Sequence, residues 1–145
     1  MVENSPNSPL LMFVAHRAAE NQVFEALRST GFDDLTVAQC RLAQRLSPHG
    51  IRLTDLAEQA QVTKQTAGAL VDELERAGYV TRQPDPADAR ARLVALTDRG
   101  AKLCRAAASE VARIESSWRD HLGARAYRQL RDSLLTLSEI TDPYL

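Results

Sequence analysis

The chain has little of what enzymes, membrane proteins and disulfide scaffolds need. Its two cysteines, Cys40 and Cys104, lie far apart and suggest neither a disulfide framework nor a metal-ligand spacing. Arg41 beside Cys40 could lower that thiol's pKa, although a buried, inert thiol is the expectation for both cysteines. The three histidines, His16, His49 and His121, are scattered and form no H-x-x-x-H pair, so no metal site is expected. No paired carboxylate, glycine-rich phosphate loop or Ser/His/Asp arrangement stands out. Catalysis and a cofactor are therefore not expected. No apolar run approaches the ~18 residues of a membrane span, and the short run Leu10–Ala15 lacks the basic flank and length of a secretory signal. A cytoplasmic chain is expected. Excess positive charge is absent too: Lys and Arg number 18 against 19 Asp and Glu, a formal net charge of −1. That balance argues against indiscriminate coating of nucleic acid.

What is present concentrates in residues 53–96. Leu53, Leu56, Ala57 and Ala60 recur at helical spacing, and Gln61-Val62 interrupt them. Thr63 then offers a hydroxyl to the orphan N–H groups of a second helix. That helix buries Ala67, Leu70, Val71 and Leu74, and Gly78 ends it with a left-handed residue. The pattern predicts a helix-turn-helix. Lys64, Gln65, Gly68, Ala69 and Asp72 fall on the second helix's first turn or solvent side. Lys64 suits a phosphate and Gln65 a base edge. Gly68, which costs a helix interior about 1 kcal/mol against Ala, would with Ala69 let the backbone lie close to a groove.

After Gly78 the pattern changes to period two. Tyr79–Arg82 and Arg92–Leu96 read as short strands, joined by a turn-rich stretch from Pro84 to Arg90 whose prolines are barred from a central ladder. A hairpin tip carrying Arg90 and Arg92 suits the negative potential of a minor groove. Asp88 is expected to hold Arg90 extended through a charge-assisted bond.

Read from Leu53 to Gly100, LxxLA…VTxxTxxxLVxxLExxGYVxR…DxRxxLVxLTxxG resembles the MarR family of bacterial winged-helix regulators. The Asp88-x-Arg90 pair followed by Leu96-Thr97-Asp98-Arg99-Gly100 is the most specific part, and the flanking helices have the order and lengths the family has. The resemblance implies a mainly α fold with a small β-hairpin wing: a winged helix-turn-helix core over 35–97, with dimerisation helices over 10–30 and 98–142 of one domain, 1–145. It implies that the helix from Thr63 enters the major groove and Arg90 the minor groove. The residues expected to meet DNA are Thr63, Lys64, Gln65, Thr66, Gly68, Ala69, Arg82, Asp88, Arg90 and Arg92. It further implies a homodimer, most often a repressor, on a near-palindromic operator.

The flanking segments fit. Residues 1–9 are polar and proline-rich and expected to fray; a long helix follows from Leu10 to Ser29. Thr36-x-x-Gln39 has capping-box spacing and opens a helix through Leu42 and Leu46. Thr97 caps a helix bearing Cys104, Ala107, Val111, Ile114 and Trp118, and after Gly123 a second stripe runs Tyr127, Leu130, Leu134, Leu137 and Thr141. Two such seams exceed what the small core can cover, which suggests a dimer interface. Ligands of the resembling family sit between dimerisation helices and winged helix. There Phe13, His16, Arg17 and Phe24 could receive a small aromatic or acidic effector, Arg17 pairing with a carboxylate. Hydroperoxide sensors of the family carry a reactive cysteine near the start of the first helix, where this chain reads Leu10 to Val14. The competing reading is a winged-helix protein-interaction module without DNA readout.

Overall fold

The computed structural model describes residues 4–144. Among them are six helices and three strands: α1 (Ser8–Ser29), α2 (Val37–Ala43), β1 (Ile51–Arg52), α3 (Leu53–Ala60), α4 (Lys64–Arg76), β2 (Val80–Asp85), β3 (Asp88–Leu96), α5 (Asp98–Leu122) and α6 (Ala124–Thr141). The chain divides into two compact units, Met1–Glu110 and Val111–Leu145. Among the described residues, no helix is long and apolar enough to cross a membrane.

In the first unit, helix starts and stops follow local chemistry. The side chain of Asn7 accepts from Leu10 N at 2.9 Å, and Pro9 fits the first turn, so α1 begins ahead of the expected Leu10. The expectation that residues 1–9 fray thus fails from Asn7 on, and residues 1–3 lie outside the described residues. Thr36 and Gln39 form the reciprocal capping box of α2. That helix stops at Ala43 rather than reaching Leu46, because Arg45 N and Leu46 N bond three residues back, to Leu42 O and Ala43 O. At the end of α4, Gly78 N bonds Glu75 O and Tyr79 N bonds Leu74 O, with Gly78 at φ +85°. This is the Schellman closure a left-handed residue allows. The same closure ends α3, but there the left-handed residue is Gln61, at φ 57°.

The sheet order is β1-β3-β2, antiparallel throughout. The two-residue β1 pairs Ile51 with Val94 and Arg52 with Leu93, a strand that local pattern does not reveal. Both wing strands run longer than the sequence pattern suggests, leaving only Pro86-Ala87 between Asp85 and Asp88. Pro84 sits inside β2, which it tolerates because β2 is an edge.

The core joins Leu27, Leu35, Leu42, Leu46, Leu56, Val71, Leu74, Tyr79, Val80, Val94 and Leu103. Tyr79 is buried yet satisfied: its hydroxyl donates to Asp34 Oδ1 at 2.5 Å, and the Arg99 guanidinium lies 4.2 Å from its ring centroid. Arg99 Nη1 also donates to Ala77 O. Burial pushes the Tyr79 phenol up, and the bond from Tyr79 holds the Asp34 carboxyl below its usual range.

In the second unit, Ile114 and Tyr127 are buried, with Arg119 stacked 5.1 Å from the Tyr127 ring centroid. Leu130, Leu134 and Leu137 of the expected seam are exposed, as are Leu135 and Ile140, the last at 84%.

Gly100, buried in the first turn of α5, has no room for a side chain. A Cβ there would stand 2.1 Å from Tyr79 O and 2.9 Å from Leu96 Cδ2. Because the closest atom is backbone, Gly100→Ala must part α5 from the end of α4. Overpacking costs about 1–3 kcal/mol and sometimes more. Thermal unfolding of Gly100→Ala should show a drop at the upper end of that range; an unchanged midpoint would refute the close approach.

Candidate nucleic-acid interface

The first turn of α4 carries the residues suited to a major groove. Thr63 caps it: its Oγ1 accepts from Thr66 N at 3.0 Å and donates to Thr66 Oγ1 at 2.9 Å. The two threonine hydroxyls thus hold the helix start. Lys64 and Gln65 beside them are exposed, and neither side chain has a hydrogen-bond or ionic partner among the described residues. Gln65, Ala69, Asp72 and Arg76 form the exposed row opposite the buried Ala67, Val71 and Leu74. Gly68 stands on the flank of that row, where a Cβ would meet only Leu53 Cδ2, at 3.8 Å. Its lack of a side chain is therefore not demanded by packing within the chain.

The C-terminal half of α4 is acidic, and its acids are used internally. Arg82 of β2 donates through Nη2 to Asp72 Oδ1 at 2.7 Å and through Nη1 to Glu75 Oε1 at 2.9 Å. Its guanidinium, one of the groups expected to meet DNA, braces the wing against α4. Glu73 Oε2 accepts from the Gln39 side chain at 2.5 Å, which fixes α4 to the buried capping box of α2.

The wing tip has a different carboxylate geometry from the one expected. Asp88 Oδ1 accepts from the backbone N–H of Arg90 at 3.0 Å, so it shapes the strand and leaves the Arg90 side chain alone. Period two places Arg90 and Arg92 on one face of β3. Both are exposed, and neither guanidinium has a partner among the described residues. Sequence reasoning missed Arg52, whose Nε lies 2.8 Å and Nη2 2.7 Å from Asp85 Oδ2. An arginine ahead of a helix and two aspartates in a later turn carry no local sign of meeting.

The residues proposed for an effector are only partly assembled. The Arg17 guanidinium lies 5.3 Å from the Phe13 ring centroid. His16 turns to Glu20, 3.5 Å away, and Phe24 packs under Arg28. A shallow groove on α6 is lined by Asp132, Ser133, Thr136, Leu137, Glu139 and Ile140, and by none of those four. Cys40 contradicts the idea of an arginine-activated thiol. Burial, with the Glu20 carboxylate near, pushes it up to about 11, while Arg41 is taken by Glu20 at 2.7 and 2.8 Å. Burial raises Cys104 as well. No group of three His, Cys, Asp or Glu that could hold a metal occurs among the described residues.

Comparison with known proteins agrees with this architecture. The MarR family pattern matches residues 33–91. The HTH-type transcriptional regulator FarR of Neisseria gonorrhoeae is 30% identical over 110 residues, 75% of each chain. The transcriptional regulator HosA of Escherichia coli O111:H- is 39% identical over 75 residues, 51% of this chain and 56% of that one, so the chain spans about half the length of that relative. Among solved structures, the Mycobacterium tuberculosis MarR family protein Rv2887, in complex with salicylic acid, is similar with a TM-score of 0.68. It is 26% identical over 94% of this chain and 99% of that chain. These relatives are transcriptional regulators rather than enzymes. Six helices, a three-stranded wing sheet and this likeness place the chain in the MarR family of winged-helix transcriptional regulators.

Proposed function

We propose that the protein is a cytoplasmic, homodimeric repressor that binds a near-palindromic DNA operator and is released by a small aromatic or acidic effector. The observation that carries the DNA reading is the exposure of cations at the start of α4 and along the wing. Within residues 52–92, Arg52 and Arg82 hold carboxylates, whereas Lys64, Arg90 and Arg92 are exposed and have no such partner among the described residues. Those three stand where a recognition helix begins and where a wing ends. Lys64 takes a phosphate, Gln65 a base edge, and Arg90 with Arg92 the minor groove. Thr63 and Thr66 keep the helix start in shape, Gly68 and Ala69 permit close approach, and Arg82 and Asp88 act through the wing's pose.

Dimerisation is supported by apolar surface left uncovered in each unit. Leu10, Leu11, Met12, Phe13 and Val14 are exposed on α1, and Leu130, Leu134, Leu137 and Ile140 on α6. Continuous apolar exposure of this kind marks an association surface. Two copies would present two recognition helices about one helical turn, ~34 Å, apart. The effector reading rests on Phe13 with Arg17, and on the relative that holds salicylic acid.

A duplex selected by the protein from a random-sequence pool tests the reading. Arg90→Ala should weaken binding across sequences and reduce the salt slope by about 1, while Gln65→Ala should relax preference at one base position at a cost of about 1–3 kcal/mol. Uniform loss in Gln65→Ala with Arg90→Ala silent would reverse the assignment. Gly68→Ala offers a second check, because nothing inside the chain opposes the methyl. Its helix propensity should stabilise the fold by about 1 kcal/mol while DNA affinity falls; unchanged affinity would remove Gly68 from the groove. Salicylate titrated into the complex should displace DNA from the wild type and not from Arg17→Ala. Displacement of both alike would place the effector elsewhere.

A further inference from the structure

We propose that Arg52 is a positioning residue for DNA binding: from β1 it fixes the shape of the wing tip, and so the pose in which Arg90 reaches DNA. The inference rests on the DNA-binding reading above and assigns a role to a residue outside both the recognition helix and the β2–β3 hairpin.

Arg52 pairs with Leu93 on the central strand β3, which anchors its backbone in the sheet. Its guanidinium reaches across to Asp85 at the far end of β2, with Nε 2.8 Å and Nη2 2.7 Å from Oδ2. The Asp85 side chain is only 9% exposed, so this carboxylate depends on that cation. Its other oxygen, Oδ1, accepts from Ala87 N at 2.9 Å and closes the Pro86-Ala87 turn. Arg52 Nη2 also lies 3.9 Å from Asp88 Oδ2, while Asp88 Oδ1 holds the Arg90 N–H at 3.0 Å. One guanidinium therefore serves both carboxylates that shape the tip.

The need for it is electrostatic. Asp85 and Asp88 are direct cross-strand partners, and like charges placed opposite one another in a ladder repel. The tip has no core to resist that repulsion, since Pro86, Ala87, Asp88, Ala89 and Arg90 are all exposed. Two facing carboxylates weaken such a turn. With Arg52 between them, the acids become the frame from which Arg90 projects. Arg82 braces the base of the wing on α4, and Arg52 braces its tip on β1.

A side chain 42% exposed could instead touch a phosphate directly, and a double-mutant cycle separates the two roles. Wild type, Arg52→Ala, Arg90→Ala and the double variant are titrated with the duplex that the wild type selects from a random-sequence pool. Acting through Arg90, Arg52→Ala should weaken binding about tenfold, yet weaken the Arg90→Ala protein by no more than about twofold. Asp85→Asn supplies a sign test and stands in should Arg52→Ala fail to fold. It removes a negative charge from a DNA-facing tip, which by screening alone would tighten binding. Release of the Arg52 clamp should loosen it instead. Multiplicative losses in the cycle, or tighter binding by Asp85→Asn, would overturn the inference while leaving DNA binding intact. Failure of the wild type to select any duplex would overturn both.

Discussion

Four segments of the first unit meet at Tyr79. Its backbone N–H closes the end of α4 on Leu74 O, and its carbonyl receives Thr97 N at the start of α5. Its ring lies in the core under Arg99, and its hydroxyl reaches Asp34 in the loop before α2. The next residue begins β2. The end of α4, the wing, α5 and the α2 approach thus share one residue as a common origin. A buried tyrosine is affordable there because its polar end is bonded and its face is covered by a cation. Gly100 completes the arrangement by letting α5 lie against the Tyr79 carbonyl.

Around that origin the charges are sorted by task. A chain with net charge −1 can carry a positive surface only by spending its acids elsewhere. Asp72 and Glu75 are spent on Arg82, Glu20 on Arg41, Asp34 on Arg99, and Asp85 on Arg52. Each pair also ties one element to another: α4 to β2, α1 to α2, the α2 approach to α5, and β1 to β2. Exposed pairs contribute little to stability individually. Their effect here is geometric, fixing where the remaining cations stand.

How much of this the sequence shows depends on how local the determinant is. The Thr36–Gln39 box, the Thr63 cap, the Ala67–Leu74 stripe and the Gly78 stop are settled within a turn or two of helix, and all are legible. The two-residue β1 is not, since its only reason to be a strand is Leu93 and Val94 across the sheet. The full length of the wing strands is not legible because their outer residues are exposed on both faces, which erases the alternation that marks a half-buried strand. Side-chain partners were the least legible. Arg82 and Arg90 look alike as wing arginines, but only the first faces two carboxylates of α4. The Asp88-x-Arg90 spacing suggests a carboxylate on a guanidinium, whereas Asp88 Oδ1 holds the Arg90 amide. Cys40 is expected to be inert despite its neighbour Arg41, and burial raises its pKa while Glu20, from a helix away, takes the arginine.

Pro84 has a consequence for solubility. A wing that projects from a small body leaves the outer margin of β2 open, and an open strand margin is a template on which another molecule's strand can add. Pro84 removes one N–H from that template, and the register shift beside it breaks the regular spacing of the next groups. The outer margin of the hairpin is thereby a poor template for intermolecular sheet.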